Sequence, residues 1–367
     1  MSARDAKQGM TRREFLRQGT VSSGVALGAR LGSGRTATAA EAQAQARASG
    51  TPGSTAAKTV LSFYVDDTNP YIAGVEAFQM FLDFVVGEGI AGESSVILGY
   101  GWEEHGLLSR PKTDEQRAYI EQLHRAYACG IDSHMELMTH GGLFDFGTGR
   151  VPDAAQHEGI WLYEPAVSRE AYESYFGHIV EEGEKIGVRF TGVTWPGCGC
   201  AICQKRNAEL YQGHPLDVNP NVWQALLNLA RRGKFRGRTV PCFVLGGPEE
   251  HPLKLMAGEG EFGVYDLYPN ADDHLGIWEN DPARVNADYY ITADGTSGRI
   301  VEKVRAGAPR CVLYGHWQGV NPVKGVGWEA FKQVVHRVQK HYRDRVVWMR
   351  PSALTDQYHR QAGNKGV

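Results

Sequence analysis

The sequence predicts an α/β fold whose strands run parallel and are buried on both faces. From Thr59 onward, short β-branched or aromatic runs alternate with longer stretches whose apolar residues recur every three or four positions, the rhythm of βα units. The chain has 367 residues, of which 42% are hydrophobic and 22% charged, enough for one large domain with a substantial core. No fixed-period repeat and no Gly-rich phosphate loop interrupts the pattern. Parallel strands joined by helices need cover on both sides, which favours a barrel or a doubly wound sheet.

The elements follow in order. Residues 60–65 read as the first strand, and 71–87 as an amphipathic helix with Ile72, Val75, Phe78, Phe81, Leu82 and Val85 on one face. Further strands are predicted at 96–100, 131–138, 190–194, 240–245, 289–292, 311–314 and 346–349. Helices are predicted at 113–128, 168–186, 222–231, 298–305 and 328–342. The stretch 141–164 is a long loop containing Phe144, Phe146 and Trp161, of the kind that forms lids or binding edges.

The ends of the chain read differently. Residues 1–39 hold seven Arg or Lys against two acids, so the remainder carries 32 basic and 40 acidic residues and has no bulk attraction for nucleic-acid phosphates. Thr11-Arg12-Arg13-Glu14-Phe15-Leu16, a weakly apolar stretch and then Ala37-Thr38-Ala39 have the order of a twin-arginine export signal with a cleavage site. That predicts passage through the twin-arginine translocation machinery to the periplasm or beyond. Residues 40–58 are rich in Ala, Gln, Ser, Gly and Thr and read as a flexible linker, followed by one domain over 59–355 and a tail over 356–367. No later stretch reaches the roughly 18–20 consecutive apolar residues that span a bilayer.

In parallel folds, chemistry collects where strands end. Asp66-Asp67 ends the first strand and is suited to one carboxylate binding a metal while the other accepts a proton, or to capping the helix after Pro70. His134-Met135-Glu136-Leu137-Met138-Thr139-His140 ends the third, with His134, Glu136 and His140 on one face, a ligand set suited to zinc or another divalent transition metal. Leu313-Tyr314-Gly315-His316 closes a late strand.

Together these clusters resemble the polysaccharide deacetylase family, the carbohydrate esterases with a nodulation-type homology domain. Phe63 to Asp67 matches the family's Asp-Asp element, Gly130 through Thr139-His140 its ligand-x-x-Thr-His element, and Leu313 to His316 its leucine-x-histidine element. The resemblance spans about residues 59–355 and includes a closing segment at 346–354. It implies a distorted (β/α) barrel of about seven parallel strands that hydrolyses acetyl groups from an N- or O-acetylated carbohydrate with a divalent metal, zinc first. Asp67 and His140 would then bind the metal, Asp66 would take the proton of the attacking water, and His316 would protonate the leaving group. Two departures stand out. Glu136 occupies a position where the family has histidine, which leaves Glu136 and His134 as alternative third ligands, and no arginine follows Thr194 to orient Asp66.

Cys198, Cys200 and Cys203 suit a disulfide with one free thiol, three ligands of a structural zinc, or reduced packing cysteines. Cys129, Cys242 and Cys311 lie in or beside apolar runs and read as core. Trp102, Trp195 and Trp317 stand at strand ends, where exposed rings stack on sugars, and are the candidate substrate contacts. Asp266 and Asp272-Asp273-His274 are further acidic candidates for substrate contact, with a solvated turn the favoured alternative for Asp272-Asp273. The same residues fit two other functions: a metal-independent barrel glycoside hydrolase with Asp66 and Glu136 flanking the bond, or an exported carbohydrate-binding protein without catalysis.

Overall fold

The computed structural model describes residues 58–195, 218–243 and 253–363. The export signal, all but the end of the linker, and the cluster Cys198, Cys200 and Cys203 lie outside the described residues. Among the described residues are nine strands: β1 (Thr59–Asp66), β2 (Gly92–Ile97), β3 (Ile131–Glu136), β4 (Gly192–Thr194), β5 (Thr239–Phe243), β6 (Lys254–Glu259), β7 (Phe262–Asp266), β8 (Arg310–His316) and β9 (Val346–Trp348). They form one sheet in the order β6-β7-β5-β4-β3-β2-β1-β8, with β9 alongside the start of β1. Every pairing is parallel except β6 with β7.

The principal helices are α1 (Val75–Glu88), α2 (Asp114–Ala128), α3 (Arg169–Lys185), α4 (Pro220–Arg231), α5 (Arg299–Arg305), α6 (Trp328–Tyr342) and α7 (Pro351–Gly363). On β1 the side chains alternate as the strand period requires. Phe63 meets Phe81 of α1 and Phe331 of α6, each at 5.7 Å between ring centroids, on the helix-covered face. Tyr64 points the other way and stacks on Phe243 of β5 at 4.5 Å and 4°. Three strands separate β1 from β5 in the sheet, so this contact requires the sheet to curl into a half-barrel. Val60, Tyr64, Phe243, Tyr265, Val312 and Leu354 fill the concave side.

Helix α7 closes the end of the barrel where the strands begin. Asp132 on β3 accepts the Ser352 backbone N–H (2.7 Å) and hydroxyl (2.9 Å). On β5, Thr239 bonds Thr355 and Asp356 of the same helix. Burial pushes the Asp132 carboxyl up to about 6, while the Ser352 bonds and the Arg350 charge pull the other way.

The structure departs from the sequence reading at four places. Residues 289–292 are not a strand: Ala287–Tyr290 is a helical turn whose Asn286 side chain accepts the Tyr289 N–H at 3.2 Å. The hairpin β6–β7 was not foreseen, because β6 is largely exposed and carries no buried stripe. Strand β2 starts four residues earlier than expected, since its inward residues Glu93 and Ser95 are polar yet fully buried. The expected loop at 141–164 packs down: Phe144 and Trp161 are buried, with Trp161 against Tyr172 and Tyr175 of α3.

Candidate metal and catalytic centre

The strand ends of β1, β2, β3 and β8 bring the predicted polar residues together. Register sets Asp66 opposite His316 across β1 and β8, and Glu136 opposite Ile97 across β3 and β2. Asp67, Glu136 and His140 each offer one ligand atom, and these atoms lie within 4.8 Å of one another. His140 Nδ1 is 2.5 Å from Glu136 Oε1, and its Nε2 is 3.6 Å from Asp67 Oδ1. Both Asp67 (φ 69°) and His140 (φ 56°) adopt the left-handed conformation, which costs a non-glycine residue about 1–2 kcal/mol. Two of the four non-glycine residues with this backbone among those described are therefore in one triad, and such strain concentrates at functional sites.

Hydrogen bonds fix the carboxylates. The Ser95 hydroxyl faces Glu136 Oε2 at 2.6 Å and Asp66 Oδ1 at 3.1 Å. The Asp67 N–H points at Ser95 Oγ, Asp66 Oδ1 and Glu136 Oε2, at 3.0, 3.1 and 3.3 Å. Gln318 donates to Asp67 Oδ2 at 2.9 Å. Burial, then the Glu136 and Asp67 charges, push the Asp66 carboxyl well above the ordinary carboxylate range. Burial opposes a charge on His140, but Glu136 and Asp67 outweigh it and raise the imidazole well above its usual value.

The donor set fits a divalent cation. Three buried carboxylates converge with one imidazole beside them, and Glu136 Oε1 and His140 Nδ1 are buried without a well-formed hydrogen bond. Atoms mutually within 4.8 Å are close to the span of ligands lying about 2.0–2.2 Å from one ion.

Beside this triad stands a second group. His316 Nδ1 is 2.7 Å from Asp273 Oδ2, and its Nε2 is 2.8 Å from the Tyr314 hydroxyl and 4.0 Å from Asp66 Oδ2. Tyr314 also donates to Asp66 Oδ2 at 3.4 Å. Burial works against a charge on His316, but the Asp273 bond and charge, with Asp67 and Glu136, raise its pKa. Asp273 arrives from a loop that runs beside the edge strand. Ala271 bridges Leu313 in parallel, the Asn270 side chain accepts the Val312 N–H at 2.6 Å, and Asp273 itself accepts the Leu275 N–H at 2.8 Å.

Asp66, Asp67, Glu136, His140 and His316 thus gather at one mouth. His134 does not join them. It lies deeper in the barrel, fully buried, with Nδ1 3.7 Å from Glu93. Burial lowers His134 to about 3 and raises Glu93, so the two face each other as neutral groups. Trp195 and Trp317 have no accessible surface for a sugar: Trp195 stacks on Trp223, and Trp317 meets Phe78 and Phe81 edge-on. Trp102 is half-buried, edge-on to Phe144 at 5.5 Å. Cys242 and Cys311 are core, and Cys129 is half-buried. Sequence reasoning missed Ser95, Gln318 and Asp273 as parts of the centre. The first two look like ordinary polar residues in the chain, and the third reads there as a turn residue or a substrate contact, not as the partner of His316.

No family model matches the sequence, and no curated protein matches it. Among solved structures, the chain is similar to a candidate polysaccharide deacetylase from Mycobacterium smegmatis, at 13% identity and a TM-score of 0.46, covering 86% of this chain and 93% of that one. It is also similar to a CE4 family pseudoenzyme from Bacillus anthracis, at 8% identity and a TM-score of 0.37, covering 79% and 63% of the two chains. A further similarity is to a GH57 branching enzyme from Thermococcus kodakaraensis, at 12% identity and a TM-score of 0.39, covering 82% and 71%.

Proposed function

We propose that the protein is an exported, divalent-metal-dependent hydrolase that removes acetyl groups from an N- or O-acetylated carbohydrate. The observation that carries this reading is the convergence of Asp67, Glu136 and His140 beside Asp66 and His316 at one mouth of the half-barrel. Asp67, Glu136 and His140 would hold the ion, and two carboxylates with one imidazole suit zinc or a harder first-row divalent metal. Such an ion supplies Lewis acidity, polarising an acyl carbonyl and acidifying a water.

The remaining steps belong to the side chains. Asp66, adjacent to the metal-holding Asp67 and bonded by the Ser95 hydroxyl, takes the proton of the attacking water. Ser95 and Tyr314 bond Asp66 where the family has arginine. His316 carries its proton on Nε2 to the departing nitrogen or oxygen, while Asp273 holds Nδ1 and fixes the ring. A glycosidase reading is disfavoured because Ser95 Oγ and the Asp67 N–H sit between Asp66 and Glu136, where a sugar would have to lie.

Acetate release from acetylated chito-oligosaccharides and acetylated xylan tests the reading. We expect turnover that disappears on complete chelation, returns with zinc, cobalt or manganese, and falls roughly 10²–10⁴-fold in Asp66→Asn. Turnover that survives complete metal removal would sink it.

A further inference from the structure

We propose that Glu158 is the positioning residue for His140: its single buried carboxylate grips the backbone on both sides of that histidine and so aims the imidazole at Asp67 and Glu136. Glu158 is fully buried at the start of a short helical turn, Glu158–Trp161, beyond the long loop that follows β3. The Thr139 N–H donates to its two oxygens at 3.2 and 3.3 Å, and the Gly141 N–H donates to Oε2 at 3.2 Å. His140 is the residue between those two amides.

The grip is reciprocal. The Glu158 N–H donates to the Gly141 carbonyl at 2.7 Å, and Gly142 bridges His157. The Tyr175 hydroxyl of α3 donates to Glu158 Oε1 at 2.5 Å and anchors the carboxylate from behind. A left-handed histidine does not hold itself in place, because that conformation is unfavourable for a residue with a Cβ. Two hydrogen bonds to the flanking amides offset the cost. Outer partners that orient metal ligands commonly change metal affinity 10–100-fold when removed.

This inference rests on the metal reading above, and cobalt(II) titration of the full chain separates the two. Wild type should bind one equivalent and develop a visible d–d band. Failure of wild type to bind would sink the metal reading itself. Glu158→Ala removes the acceptor of both flanking amides, and we expect cobalt(II) binding about 10–100-fold weaker with an altered band. Glu158→Asp keeps the carboxyl on a side chain too short to reach both amides; it should also weaken binding, and it decides the matter if Glu158→Ala does not fold by circular dichroism. Wild-type affinity and an unchanged band in a folded Glu158→Ala or Glu158→Asp protein would overturn the role of Glu158 while leaving the metal centre standing.

Discussion

Asp273 shows how one carboxylate determines what an imidazole can do. By accepting from Nδ1 it fixes the ring and favours the protonated form, so His316 stays an acid to higher pH than a free histidine. Removing that charge lowers the His316 pKa. Asp273→Asn should therefore shift the alkaline limb of the kcat/KM profile to lower pH, where the proton donor is lost earlier, and leave the acid limb set by Asp66 in place. The rate at the optimum should fall roughly 10²-fold. An alkaline limb that does not move would remove His316 from the role of acid. Asp66, Asp67, Glu136, His140 and His316 were all legible in the sequence because each ends a strand or follows its end within four residues, where a polar residue after an apolar run is conspicuous. Asp273 was not, since its meaning depends on a loop lying against β8, a contact that no local pattern records.

At the scale of elements, the legible ones were those whose pattern matches their burial. α6 was expected at the bounds observed, because Phe331, Val334, Val335 and Val338 form one buried stripe. β2 was read too late because this barrel buries polar side chains on its inner face, contrary to the usual alternation. The attachment of α7 depends on the same inner polarity. Asp132→Ala removes two bonds from Ser352 to a buried carboxyl and should cost about 2–3 kcal/mol in urea unfolding. pH supplies a sharper check. The Asp132 pKa is raised on folding, from 3.8 to about 6, so its contribution is fully present below pH 4 and is lost as pH rises through 6. Relative to Asp132→Asn, the wild type should lose on the order of 3 kcal/mol between pH 4 and 7. A difference that is flat with pH would show that the carboxyl is not buried as described.

For the whole molecule, the metal reading makes a thermodynamic demand. An ion that binds the folded state and not the unfolded chain stabilises it by about 2.7 kcal/mol at a hundredfold excess over Kd. Zinc or cobalt(II) should therefore raise the Tm by a few degrees, and a double Asp67→Asn, His140→Ala variant should melt at the same temperature with and without metal. An equal rise in that variant would place the ion elsewhere.

The aromatic stack in the concave side has one more consequence. Tyr64 lies between Phe243, at 4.5 Å, and Tyr314, at 5.0 Å, with no accessible surface. Among the described residues, that stack fills the concave side between β1, β5 and β8, so a substrate of the proposed reaction would approach the centre from the mouth at the strand ends.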